Sequence, residues 1–168
     1  MNNTKFHSEN QSKFAADYMG AVLDVLSSAL GYAEQGMSVF PCGLYKKPLT
    51  SHGFKDASTD TAIIKGWWEK HPEASIGMSV PESMLVLDVD VPEGPKALKK
   101  LEAIHGKLPA TRTQRTGGGG FQYFFGLPKG VTAKNSARKI GPGIDTRSFG
   151  GYVILPPSGH PRDRKSTR

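Results

Sequence analysis

Two acids stand two residues apart inside the apolar run Leu85-Val86-Leu87-Asp88-Val89-Asp90-Val91. An extended chain alternates faces at each residue, so Asp88 and Asp90 share one face while Leu85, Leu87, Val89 and Val91 line the other. Their Cα atoms are then roughly 6.6 Å apart, two strand rises. Carboxylates so spaced can converge on one cation or on a pair, and burying them without a partner is costly. Mg²⁺ usually takes one or two carboxylates together with substrate phosphates, and two ions about 4 Å apart clamp the attacking and leaving oxygens of phosphoryl transfer. The plain alternative is a strand end whose acids are solvated or salt-bridged.

A third acid follows a rigid turn in Gly141-Pro142-Gly143-Ile144-Asp145-Thr146-Arg147. Asp145 can complete a metal site with Asp88 and Asp90, and Arg147, on the same face of an extended chain, can hold a phosphate. Equally, Asp145 and Arg147 can simply pair with each other. The four glycines 117–120 follow Thr116, where bare backbone N–H groups can approach a phosphate. They form no P-loop, because no Gly-Lys-Ser/Thr follows, and they open no helix, which argues against a dinucleotide fingerprint. A flexible hairpin loop is the alternative. Lys47, or its neighbour Lys46, is a candidate phosphate contact ahead of Pro48.

The elements that must position these groups are mixed. Helical spacing runs from Phe14 to Gln35 through Tyr18, Val22, Val25, Leu26, Ala29, Leu30 and Ala33, and stops near Gly36. Met37 to Pro41 reads as a strand and Gly43 to Phe54 as a loop. Ser58 or Thr59 caps a helix through Ile63, Ile64, Trp67 and Trp68, which His71-Pro72 ends. One of the tryptophans packs in the core. Ala74 to Ser79 and Met84 to Val91 are strands. Lys96 to His105 is a helix with Leu98, Leu101 and Ile104 inward. Strands follow at Thr111 to Thr116, Phe121 to Phe125, Ile144 to Thr146 and Gly151 to Leu155, with Lys129 to Ile140 a basic loop. Without regular βαβ alternation the fold class is α+β. The expected organisation is a disordered segment over 1–13, one domain over 14–158 and a basic tail over 159–168.

Composition narrows the function classes. The 168 residues suffice for one well-cored domain. No apolar run reaches the roughly 18 residues of a membrane span, and the polar N-terminus has no signal-peptide core, so a cytoplasmic location is expected. Cys42 is the single cysteine, which excludes an internal disulfide and a cysteine-cluster zinc site. It reads as a small buried hydrophobe, and His52, His71 and His105 show no ligand spacing with the acids. The net charge of +7 is uneven: Lys96 to Arg147 holds eleven Lys and Arg against two acids. Such asymmetry suits a nucleic acid or a triphosphate, or a solvated basic face.

Read in order, Val39-Phe40-Pro41, Lys47-Pro48-Leu49, Asp56-Ala57-Ser58-Thr59-Asp60, Trp67-Trp68, Ile76-Gly77, Leu87-Asp88-Val89-Asp90, Thr116 with its glycines, Gly143 to Arg147 and Gly150 to Ser158 form a set. The set resembles the N-terminal domain of bifunctional DNA primase/polymerases, within the archaeo-eukaryotic primase superfamily common in plasmid and phage replication. The resemblance spans roughly Leu30 to Ser158. It implies an RRM-like catalytic palm, with an additional N-terminal α/β subregion and a mixed or antiparallel sheet flanked by helices. It also implies Mg²⁺ or Mn²⁺ on Asp88, Asp90 and Asp145, and a single-stranded DNA template with dNTP or NTP. Nucleotide contacts are expected from Lys47, Gly119, Gly120, Gln122, Arg115 and Arg147. Such domains commonly place His two residues after the glycines, where this chain has Gln122. A glutamine donates a hydrogen bond but carries no charge, and Arg115 or Arg147 is the expected compensation. Related proteins often continue into a helicase domain, so the chain is expected to be a truncated piece, with a helicase domain or subunit as partner and no membrane.

Two functions follow as expectations: metal-dependent nucleotidyl transfer that makes or extends primers, or a degenerate fold that binds DNA or nucleotide without catalysis. A sugar-nucleotide transferase built on Asp88-Val89-Asp90 is a third reading.

Overall fold

The computed structural model describes residues 20 and 24–158, and among these every strand pairing is antiparallel. Helix α1 covers 24–34, and Val25, Leu26, Ala29, Leu30 and Ala33 give it one apolar face. It ends where Gly36 takes φ +80, a conformation that costs glycine nothing, and where the Gly36 N–H bonds to the Ala33 carbonyl. Strand β1 (Val39–Cys42) leads into two single-turn 3₁₀ helices, Leu44–Lys46 and Gly53–Asp56. Helix α2 (Thr61–Lys70) follows, then strands β2 (Ser75–Ser79) and β3 (Met84–Val89) and helix α3 (Gly94–His105). The chain continues through β4 (Arg112–Arg115), β5 (Phe121–Gly126), β6 (Ser136–Gly141), β7 (Ile144–Arg147) and β8 (Tyr152–Leu155).

A small sheet has the order β1-β2-β8 and a large one the order β4-β5-β3-β7-β6. The large sheet is covered differently on its two faces. Leu87, Val89 and Ile144 pack with Tyr123 and Phe125 against Ala97, Leu98 and Leu101 of α3. On the opposite face Val86 and Phe124 join the main core, with Ile64 and Trp68 of α2, Ala29 and Ala33 of α1, and Ile76, Met78, Val153 and Leu155 of the small sheet. Full burial of Ile64 alone is worth roughly 2 kcal/mol. Along that second face β3 and β5 are apolar at Val86 and Phe124 and turn polar at Asp88 and Gln122. The core therefore closes one end of the space between the sheets and leaves the other open.

The α+β class holds, with two antiparallel sheets and no mixed one among the described residues. Four local expectations are corrected. Asp60, not Ser58 or Thr59, caps α2: its carboxylate accepts from the Ala62 and Ile63 N–H groups, while the Ser58 backbone is tied to Val39 in a bridge. Ile104 does not face inward. Residues 103–105 at the end of α3 are exposed, and Ala97 takes the inward place beside Leu98 and Leu101. Ser136–Gly141 is a strand rather than part of a loop. It lies at the sheet edge, its register shifts between Ala137 and Gly141, and Arg138 takes φ 55, so no alternation marks it. The acid-bearing strand ends at Val89, which leaves Asp90 just beyond it. Trp68 is the tryptophan of the core, and buried Cys42 is a thiol pushed up to about 12 by desolvation, a hydrophobe rather than a nucleophile. The expected segments 1–13 and 159–168, and the start of the first helix, lie outside the described residues.

Candidate active site

Strand register gathers the polar groups into one row. Asp88 on the central β3 stands directly across from Asp145 on β7 and from Gln122 on β5, and Gln122 stands across from Gln114 on β4. Cα atoms so paired are about 4.5–5.5 Å apart. The row faces a cleft between the sheets with two lobes. One, of about 150 Å³, is lined by Asp88, Asp90, Gln114, Gln122, Thr116 and the Ile154 region of β8. The other, of about 380 Å³, is lined by Asp88, Gln122, Lys46, Arg147, Asn135 and Tyr152.

The row is linked by side-chain hydrogen bonds. Gln122 Nε2 donates to Asp88 Oδ2 at 3.0 Å, and Gln114 Nε2 donates to Gln122 Oε1 at 2.6 Å and to the Ile154 carbonyl at 2.8 Å. Two buried acceptors, Asp88 Oδ1 and Gln114 Oε1, have no partner among the described residues. Burial drives the Asp88 carboxyl above the ordinary value near 3.8. Asp90 pushes the same way, while the Gln122 hydrogen bond and the charges of Lys46 and Arg147 oppose it.

Asp145 is spoken for. Its Oδ2 accepts from Arg147 at 2.9 Å and its Oδ1 from the Arg138 backbone N–H at 3.0 Å. The pairing alternative is thus the one present. Among the described residues no three His, Cys, Asp or Glu side chains stand together as a ligand set. For a hard divalent cation, Asp88 fits through its bare, buried Oδ1, and Asp90 lines the same lobe with a second carboxylate. Asp145 stands across from Asp88 in register but lines neither lobe, and both of its oxygens are engaged, by Arg147 and the Arg138 N–H.

Asp90 is fixed through its backbone. Its N–H donates to the Gly143 carbonyl and its own carbonyl accepts from Gly94 N–H, each at 2.8 Å. Gly143 has φ +68, and a Cβ there would stand 2.6 Å from the Gly94 nitrogen, so the turn before β7 docks on Asp90 only as glycine.

Of the four glycines, the N–H groups of Gly119 and Gly120 are spent inside the loop, on the Thr116 carbonyl and on Thr116 Oγ1. Gly117 and Gly118 line the cleft instead. Both lysines are exposed, but only Lys46 lines the lobes, and it lines both. Tyr45 and Lys46 take φ 57 and 62, the turn is closed by Gly43 N–H on the Lys47 carbonyl, and Tyr152 Oη donates to the Lys46 carbonyl at 3.0 Å. Arg147 lines the larger lobe. Arg115 touches the smaller one at its rim, although its register partner Phe121 places it on the face opposite Asp88.

The family model for the bifunctional DNA primase/polymerase N-terminal domain (Prim-Pol) matches residues 29–168. The chain belongs to this family. Comparison with curated proteins returns no match. A Prim-Pol domain serves DNA primase/polymerase function, with DNA and nucleotides as its substrates.

Against that background three residues stand out that sequence reasoning passed over or ranked second. Gln114 had a legible signal, since strand alternation puts it with Arg112 on one face of β4. Lys46 over Lys47 rests on a left-handed backbone that no propensity marks. Asn135 lines the larger lobe and ties the Prim-Pol loops together: its Oδ1 accepts from Ser148 N–H and its Nδ2 donates to the Phe149 carbonyl, both at 2.9 Å. The basic excess is only partly at the site, because Lys96, Lys99 and Lys100 are exposed on α3, over the opposite face. Among the described residues no helix is long and apolar enough to cross a membrane.

Proposed function

We propose that this Prim-Pol chain carries out template-directed nucleotidyl transfer, making or extending primers on DNA. The observation that carries the reading is the bare, buried Oδ1 of Asp88, held in a cleft that Asp90, Lys46 and Arg147 also line. Asp88 and Asp90 would hold Mg²⁺ or Mn²⁺, with Asp145 recruited when a triphosphate draws Arg147 away. Bound there, the cation would supply charge neutralisation and Lewis acidity at the α-phosphate.

The chain's own part is positioning. Lys46 and Arg147 provide positive charge for the triphosphate, and Gly117 and Gly118 present backbone at the rim of the smaller lobe. Gln122 donates to Asp88 and so orients the acid, while lining both lobes. A primer 3′-hydroxyl oxygen then bonds the α-phosphorus and gives its proton to solvent, the bond from the α-phosphorus to the oxygen bridging the β-phosphate breaks, and pyrophosphate leaves. The palm is read as RRM-like. That reading is supported by the order β7-β3-β5-β4, in which the first strand of the four in sequence is central and α3 follows it, with β6 in place of a second crossover helix.

Incubation with a single-stranded template, dNTPs, NTPs and Mn²⁺ tests the reading. Product is expected from the wild type and none from Asp88→Ala. Absence of product from folded wild-type protein would overturn it.

The Asp145–Arg147 pair favours a second reading, a binding module without catalysis. In that case single-stranded DNA affinity falls steeply with salt and is the same in Asp88→Ala.

A further inference from the structure

The hydrogen bonds along the acid row all run one way. The Ile154 carbonyl can only accept, so the Gln114 amide must turn its Nε2 toward it. The same Nε2 donates to Gln122 Oε1, which leaves Gln122 Nε2 as the group facing Asp88 Oδ2. Neither amide can flip without setting oxygen against oxygen. The direction is maintained even though Gln114 Oε1 is left buried with no partner. Gln114 sits on β4 of the large sheet and Ile154 on β8 of the small sheet, so the relay spans the cleft.

We propose that Gln114 is a positioning residue for Asp88: through Gln122 it transmits the placement of the small sheet to the acid and fixes which carboxylate oxygen is presented, bare, to a cation in the cleft. Asp88 Oδ2 is held by a charge-assisted bond and Oδ1 is left for the ligand. Without Gln114 the Gln122 amide is free to rotate and offer its oxygen to Asp88. The inference rests on the reading of Asp88 as a cation ligand.

The test is a double-mutant cycle on Mn²⁺ affinity, read by electron paramagnetic resonance on the full chain with no nucleotide. Gln114→Met keeps the volume and removes both amide bonds, and Gln122→Met removes the link to Asp88. A relay predicts that Gln114→Met weakens Mn²⁺ binding roughly three- to tenfold in the wild-type background and adds nothing once Gln122 is Met. Equal weakening in both backgrounds, or none in either, overturns it. A purely structural role would move the unfolding midpoint and not this coupling. Failure of the wild type itself to bind Mn²⁺ overturns the cation reading instead. The relay is then judged by NMR: exchange of the Gln122 side-chain amide protons is slow in the wild type and faster in Gln114→Met, and identical exchange in both would contradict it.

Discussion

Gln122 stands directly across the sheet from Asp88 and donates Nε2 to its Oδ2 at 3.0 Å. The position at which the family resemblance implied a triphosphate contact is occupied by a group that holds the acid. Asp88 is half-buried, with one oxygen hydrogen-bonded and the other, Oδ1, buried without a partner among the described residues, and this sets how it responds to pH.

Burial raises the Asp88 carboxyl above its ordinary value near 3.8. A group raised in the folded state contributes stability below its ordinary value and loses it as pH rises through the folded one. In chelator at neutral pH, Asp88→Asn is therefore expected to melt at a higher temperature than the wild type. The gap should close as pH falls toward about 4. Added Mn²⁺ should raise the wild-type midpoint and leave the variant unchanged, by ligand linkage. Thermal unfolding across pH, with and without Mn²⁺, checks both.

Lys46 and Lys47 separate cleanly. Lys46 lines both lobes and Lys47 is exposed outside them. Lys46→Ala is expected to weaken dNTP binding roughly tenfold, a modest value for a solvent-reached cation. Lys47→Ala should leave it within about twofold. Fluorescent-nucleotide titration of both variants decides.

Gly120 is buried, and a methyl there would collide with the Val89 carbonyl oxygen and crowd the Asp90 Cα at 3.2 Å. Both neighbours are backbone and cannot turn aside. Gly120→Ala is expected to cost about 1–3 kcal/mol in urea unfolding and to weaken Mn²⁺ binding, because relief pushes away the end of β3 and Asp90 just beyond it. Gly118→Ala, with only Thr116 Oγ1 at 3.9 Å, should be neutral in unfolding.

Much of this was legible in the chain. Alternation through Leu87, Asp88 and Val89 placed two apolar residues on one face, which the structure packs against α3, and the acid on the other. The Gly141-Pro142-Gly143 turn announced the third acid. What escaped was non-local or backbone-encoded. The edge strand β6 has an irregular register and one residue with positive φ, so its pattern reads as loop. Lys46 reaches the cleft through a left-handed pair of residues that spacing does not reveal. The roles of Gln122 and Gln114 depend on register across three strands and on a carbonyl forty residues away. The structure pairs Asp145 with Asp88 in register, and its choice between Arg147 and a cation is a competition between partners that spacing does not encode.

In the proposed function a divalent cation binds through Asp88 Oδ1. Anomalous diffraction from crystals grown with Mn²⁺ and a dNTP tests it most directly. A manganese peak is expected about 2.1 Å from Asp88 Oδ1, a distance typical of oxygen ligation, shared with Asp90, and with Arg147 turned from Asp145 to the triphosphate. A nucleotide bound in the cleft with no metal peak at Asp88, and the Asp145–Arg147 pair intact, would contradict it.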